Sequence, residues 1–210
     1  MRADVSFIMD KVNILKSVSI FSDLSDSDLS SILDKMVQQT FKKGQIILME
    51  DRIGDHCFFL THGRVKITRL SSDGREVILA LLGKGEFFGE MSLLDGEARS
   101  ANVIALERTE ALTLNVADFM KTLEIYPKVA INLLCELAVR LRKSDEQIAN
   151  LSLSDAERRI AVSLIRLAEE QGTIHQGHVT IDPLPYQQDI ANMAGTSRET
   201  VSRTYGLLAE

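Results

Sequence analysis

The hydrophobic period of the chain changes at Tyr126-Pro127, and that change limits what it can fold into. Ahead of it, glycines recur at Gly44, Gly54, Gly63, Gly74, Gly83/Gly85 and Gly96. Between them lie short β-rich runs: Gln45–Met49, Cys57–Leu60, Val65–Leu70, Val77–Leu82, Asn102–Leu106 and Ala111–Val116. Turn signals roughly every 8–12 residues between short strands predict a β-sandwich or barrel. Asp73-Gly74 reads as a two-residue hairpin turn, whose two positions both need positive φ. Residues 1–40 read as helical, because Asp26 and Ser27 precede Leu29, Ile32, Leu33 and Met36 at a spacing near 3.6. Beyond Pro127, a residue suited to a helix's first turn, come Ala130, Leu134, Leu137, Leu141, Ser144, Ile148 and Leu151. Their alternating steps of 4 and 3 make the heptad seam of a coiled coil. A helix packed on its own domain's core has similar apolar positions, but a seam this long predicts a dimer. Ser144 is its one polar member, a residue that sets register or contacts something in the interface.

Composition narrows the class. Of 210 residues, 45% are hydrophobic and 26% charged, which excludes wholesale disorder and a fibrous chain. No apolar run reaches the ~20 residues needed to cross a bilayer, so no membrane span is expected. The opening MRADVSFIMDKVN carries charges throughout and has no apolar signal region. Two cysteines, Cys57 and Cys135, cannot build a disulfide framework or a four-thiolate iron–sulfur site, and a reducing cytoplasm is the expected location. Both read as buried or inert thiols. His175 and His178 have a metal-like spacing without further ligands and read as a solvated hairpin tip. No metal, haem or iron–sulfur cluster is expected. Nor is an enzyme, since no nucleophile–base pair, Walker motif or metal-hydrolase cluster occurs. The net charge of −6 argues against a broadly basic nucleic-acid binder, so any DNA contact must rest on locally placed arginines.

The richest segment runs from Phe87 to Val103. Gly89 lets backbone approach a ligand. Glu90 offers two acceptors suited to a ribose hydroxyl. Met91, Ser92, Leu93 and Leu94 can form one helical turn whose N–H groups face an anion. Arg99 brings a charged fork for a phosphate and Ser100 a hydroxyl donor. On spacing alone, a surface ion pair between Glu90 and Arg99 remains an equal alternative. The pattern closely resembles the phosphate-binding cassette of cyclic-nucleotide-binding domains. There the Gly-Glu pair holds the ribose and the Arg-Ser pair the cyclic phosphate. The resemblance implies a β-roll over roughly residues 20–125.

Ser154-Asp155 opens a further amphipathic helix that ends near Gly172, and a β-like Val179–Ile181 leads to a last helical pair. The run from Gln187 to Arg203 reads as a helix-turn-helix. Ala191 allows close crossing, Gly195 supplies the turn, and Ile190, Ala194 and Val201 face inward. Ser197 caps the second helix, so Arg198, Glu199, Ser202 and Arg203 project from its outer face. Arginine reads guanine O6/N7 and glutamate accepts from cytosine N4. A solvated helix pair with no DNA is the weaker reading. Thr204 and Gly206 sit where a firmly packed helix prefers apolar or helix-forming residues. Residues 155–210 carry five Arg, no Lys and eight Asp/Glu, a net of −3.

β-Roll, long helix and helix-turn-helix in that order resemble the bacterial cyclic-AMP receptor protein/fumarate–nitrate regulator (CRP/FNR) family of transcription factors. The resemblance implies an α+β chain. A jelly-roll-like cyclic-nucleotide-binding sensor would occupy residues 1–126, a dimerisation helix 127–153 and a winged helix-turn-helix 154–210, with the family's β-hairpin wing expected to be missing. It assigns the ligand to Leu79, Leu82, Gly89, Glu90, Met91, Ser92, Arg99, Ser100, Arg140, Ser144 and Asp145. Leu79 and Leu82 would wall the base, Arg140 would pair with Glu90, and Ser144 and Asp145 would meet the base. Where the family usually has serine, Asp145 stands. A carboxylate accepts from adenine N6 and equally from guanine N1–H and N2–H, so cAMP is expected with cGMP possible. DNA contacts fall to Gln188 (a phosphate contact), Ser197, Arg198, Glu199, Ser202 and Arg203. The half-site is open between TGTGA-like and TTGAT-like. The implied partners are a second copy of the chain, palindromic double-stranded DNA and RNA polymerase. A same-fold regulator with another effector or none is an alternative. So is a cyclic-nucleotide module acting on a protein.

Overall fold

A computed structural model describes residues 11–208. The first ten residues of the helical reading lie outside them. Within the described chain, α1 (residues 11–17), a 3₁₀ turn at Ser19–Phe21 and α2 (Asp26–Leu33) are helical. Ser25 caps α2 by accepting from the Asp28 amide at 3.2 Å. The helical reading then fails beyond Leu33, where α2 ends and leaves Met36 outside it. Val37–Phe41 is strand β1, held along its length by antiparallel pairing with Thr109–Asn115 (β8). A β-branched and aromatic pentapeptide beside an open strand edge gains more from that ladder than from continuing a helix.

The remaining strands are β2 (Ile46–Leu48), β3 (His56–His62), β4 (Val65–Leu70), β5 (Glu76–Leu82), β6 (Phe87–Phe88) and β7 (Asn102–Ala105). They form two four-stranded sheets, ordered β1-β8-β3-β6 and β2-β7-β4-β5. This is the expected β-roll. Val116, expected to end a strand, instead begins α4 (Val116–Ile125), because the Asn115 side chain accepts from the Asp118 amide and caps a helix there. The Asp73-Gly74 turn also differs from expectation. Only Gly74 has positive φ, and the Ser71 amide donates to the Arg75 carbonyl. Three residues therefore form the loop, and its left-handed end requires glycine.

Alternation along β3 places the first sheet between two cores. Cys57 and Phe59 pack with Leu15, Phe21, Leu29, Leu112, Leu114 and Phe119 on the helical side. Phe58 and Leu60 pack with Phe41, Val65, Leu82, Phe88 and Val103 between the sheets. The 27-residue α5 (Pro127–Leu153) adds Val129 and Leu133 to the helical side. Of the heptad seam, Leu137 is half-buried against the same core, whereas Leu134, Leu141, Ile148 and Leu151 are 66%, 64%, 62% and 53% exposed.

The chain divides into two compact units. Residues up to Arg69 with Leu79–Arg140 form the first, and Leu70–Ile78 with Leu141 onward form the second. In the second, Asp155 caps α6 (Ala156–Gln171), which packs against a hairpin of β9 (Gly172–His175) and β10 (His178–Ile181). His175 and His178 face each other at the hairpin's tip, and among the described residues no group of side chains could hold a metal ion. The last elements are α7 (Gln187–Ala194) and α8 (Arg198–Leu208), which pack on each other and on α6. Among the described residues no helix is long and apolar enough to cross a membrane. Cys57 is buried as expected, its thiol pushed well above the ordinary range by burial and by the Glu90 charge. Cys135 is exposed on α5.

Phe59 joins both halves of the helical-side core, with its ring 5.1 Å from that of Phe21 and 6.0 Å from that of Phe87. Phe59→Ala should destabilise the first unit by about 3–5 kcal/mol, measured by urea unfolding. A loss under about 1 kcal/mol would contradict this packing.

Candidate functional site

Strand β6 ends at Phe88, and Gly89 turns the chain with φ 83°. A side chain on Gly89 would crowd the Arg99 guanidinium and the His56 carbonyl. Glu90 is the N-cap residue of one helical turn, α3 (Met91–Leu94), whose Leu93 and Leu94 amides donate to the Glu90 carbonyl. The expected helical turn is therefore present.

The surface-pair alternative fails, since Glu90 is only 2% exposed and Arg99 only 5%. Each has its own partners. Arg99 Nη1 donates to the Gly89 carbonyl (2.5 Å) and to Ser92 Oγ (2.8 Å), and Nη2 donates to the His56 carbonyl (2.6 Å). Burial lowers the Arg99 pKa while the negative charge of Asp55 opposes it. An arginine starts so high that it stays charged at any physiological pH. Glu90 accepts from Arg140 Nη1 at 3.1 Å, and Arg140 Nη2 donates to the Phe87 carbonyl at 2.8 Å. The Arg140 guanidinium also reaches Glu136 Oε1, one turn back on α5, and lies 4.5 Å from the centre of the Phe87 ring. Burial raises the Glu90 pKa, and the nearby Arg140 charge pulls it back only in part.

Gly89, Glu90, Ser92, Arg99 and Arg140 thus come together as a cluster of two fixed cations and one buried carboxylate. Ser100, beside Arg99, and Met91, on α3, are exposed. Leu79 is partly exposed on β5, whereas Leu82 is buried in the inter-sheet core. Ser144 and Asp145 are exposed on the second unit's stretch of α5. Sequence reasoning missed Glu136 and the carbonyls of His56 and Phe87. A backbone acceptor leaves no trace in residue identity. Glu136, four residues ahead of Arg140, was recoverable as a helical ion pair.

In the second unit, Gly195 ends α7 in the left-handed conformation (φ 59°, ψ 46°), and the Thr196 amide donates to the Ala191 carbonyl. Ser197 Oγ accepts from the Thr200 amide at 3.3 Å and so caps α8. Ile190, Ala191, Ala194 and Val201 are buried as expected. Thr204 is buried too, its hydroxyl satisfied by donating to the Thr200 carbonyl. Arg198, Glu199, Ser202 and Arg203 are exposed together and line one open groove. Backbone amide and Ser197 hydroxyl bonds hold the Glu199 carboxyl below its usual range, so it is an acceptor at neutral pH. Gln188 is exposed and donates to Asn192 Oδ1. Arg159 of α6 donates to the carbonyls of Ala194, Gly195 and Ser154, which ties the turn between α7 and α8 to the start of α6.

Residues 38–126 match the model of the cyclic nucleotide-binding domain, and residues 158–210 match that of the Crp-like helix-turn-helix domain. The chain belongs to the CRP/FNR family of transcription regulators. It is 36% identical over 196 residues to the cyclic AMP receptor protein of Thermus thermophilus, covering 93% of this chain and 88% of that one. It is 30% identical to the CRP-like cAMP-activated global transcriptional regulator of Mycobacterium tuberculosis, covering 90% and 85%. Among solved structures, the Thermus thermophilus catabolite activator protein superposes with a TM-score of 0.60 at 36% identity, covering 91% and 86%. The regulator's two matched domains coincide with the cassette and with the α7–α8 pair. The α+β class, with its cyclic-nucleotide-binding β-roll and helix-turn-helix, is that of the family.

Glu90 gives this site a pH signature. Its pKa is raised on folding, so its contribution to stability is complete below the ordinary glutamate value of 4.5 and is lost as pH rises through the folded value. Wild type should therefore lose stability relative to Glu90→Gln as pH rises from 4.5 upward. Urea unfolding at closely spaced pH values reads this, and a difference that stays flat over the window contradicts it.

Proposed function

We propose that this regulator is a homodimer switched by a cyclic nucleotide, cAMP in the first instance and cGMP as the alternative. The observation that carries the reading is the buried Arg99, a fixed positive charge set beside a ribose-type acceptor, Glu90. Such a pairing suits a small phosphodiester joined to a sugar hydroxyl. Ser100 is assigned a second phosphate donor, and Ser144 and Asp145 the base. The names of the Thermus and Mycobacterium relatives, both cyclic-AMP regulators, support the adenine nucleotide. The exposed Leu134, Leu141, Ile148 and Leu151 support pairing of α5 with a second copy, since a seam of this spacing is buried in a coiled coil. Arg198, Glu199, Ser202 and Arg203 are assigned base edges and Gln188 a phosphate, in palindromic double-stranded DNA. The two recognition helices of a dimer would then enter major grooves ~34 Å apart. Nucleotide and DNA would be coupled by ~1–3 kcal/mol. RNA polymerase is the partner through which a bound dimer would act, and the cytoplasm its place of work.

Calorimetry against cAMP and cGMP tests the ligand. Saturable binding of at least one is expected, and Arg99→Ala should weaken it about a hundredfold, or ~2.7 kcal/mol. If neither nucleotide binds the intact protein, the reading falls, and a same-fold regulator with another effector takes its place.

Fluorescence polarisation with a palindromic duplex at fixed salt tests the DNA contact. Arg203→Ala should cost ~1–3 kcal/mol, concentrated at one base position. Equal losses on all sequences would make Arg203 a phosphate contact instead.

A further inference from the structure

The stretch Asp51–His56, which leads into the first residue of β3, grips Arg99 twice. Its backbone pairs with the backbone of Arg99: the Asp51 amide donates to the Arg99 carbonyl at 2.9 Å, and the Arg99 amide donates to the Arg52 carbonyl at 2.8 Å. Ile53 forms a β-bridge with Ala98. At its far end, the His56 carbonyl accepts from the guanidinium. Between these two grips lies Gly54. A Cβ there would fall inside van der Waals contact of Arg99 Cζ and Nε and of Ser92 Oγ.

Gly54 differs in kind from the glycines of the loops. Gly44, Gly74 and Gly96 have positive φ and open space around them, so turn geometry requires them. Gly54 has no positive φ, and what requires glycine there is the space taken up by the arginine. Residues 51–56 therefore form a wall of the cradle that the cassette alone does not supply.

We infer that Gly54 is a positioning residue of the anion cradle, admitting the Arg99 guanidinium close against the backbone within reach of the His56 and Gly89 carbonyls and Ser92 Oγ. The assignment of the cradle to a phosphate rests on the proposed function; the steric role of Gly54 does not. A methyl group at 54 pushes the guanidinium off these acceptors. With Arg99 removed, the methyl group occupies vacated space, and the Ser92 hydroxyl needs only another rotamer.

A double-mutant cycle on the full chain tests this, using Gly54→Ala, Arg99→Ala and the pair, read by urea unfolding and by calorimetry with cAMP as the probe. Gly54→Ala is expected to lower stability in the Arg99 background and to weaken cAMP binding at least about tenfold, yet to add little to Arg99→Ala. A Gly54→Ala chain that is soluble only when combined with Arg99→Ala supports the inference equally. An equal cost in both backgrounds, or an unchanged affinity and stability of Gly54→Ala, overturns it. If the wild-type chain binds no cAMP, the unfolding cycle still decides the role of Gly54, while the nucleotide reading fails separately.

Discussion

A guanidinium held away from water organises the first unit. Removing an arginine from solvent carries a large desolvation cost, which is met only when fixed acceptors surround the charge. Arg99 finds them in the carbonyls of Gly89 and His56 and in Ser92 Oγ. Each requirement propagates outward. The Gly89 carbonyl points correctly because residue 89 turns with positive φ. Ser92 is placed by a single helical turn, and His56 begins a strand locked to β8 through Asn115. The cassette is rigid because an unpaired buried cation would be costly.

Glu90 and Arg140 form the second buried arrangement, of a different kind. The carboxylate is more deeply buried than its partner, so its ionised form is disfavoured despite the ion pair. Burial of such pairs is weak evidence for stability and is often retained for specificity. Arg140 stands on α5 and also contacts Glu136 and Phe87, which makes the cassette and the long helix electrostatically dependent on each other. A ligand hydroxyl that accepts or donates at Glu90 would act on the same network.

Within an acidic chain, the helix-turn-helix places its charges locally. Its arginines divide between structure and surface. Arg159 is consumed by three carbonyls around the turn, whereas Arg198 and Arg203 stand exposed beside Glu199 and Ser202. Local placement, not net charge, supplies the face presented by α8.

Much of this was legible in one dimension, because periodicity and turn residues act locally. The alternation of strands, the heptad steps along α5, the caps at Asp155 and Ser197, and the left-handed Gly195 all follow from short-range sterics and hydrogen bonding. The Gly-Glu and Arg-Ser pairs were legible as chemistry. Their partners were not. A strand at 37–41 exists because β8 lies beside it. Whether Glu90 and Arg99 met each other on the surface or separate partners in the interior was decided by packing. Acceptors such as the carbonyls of His56 and Phe87 carry no residue identity, and the reason for a glycine at 54 lies 45 residues away in sequence, at Arg99. Local propensity determines the elements; desolvation, which depends on everything nearby in space, determines who pairs with whom.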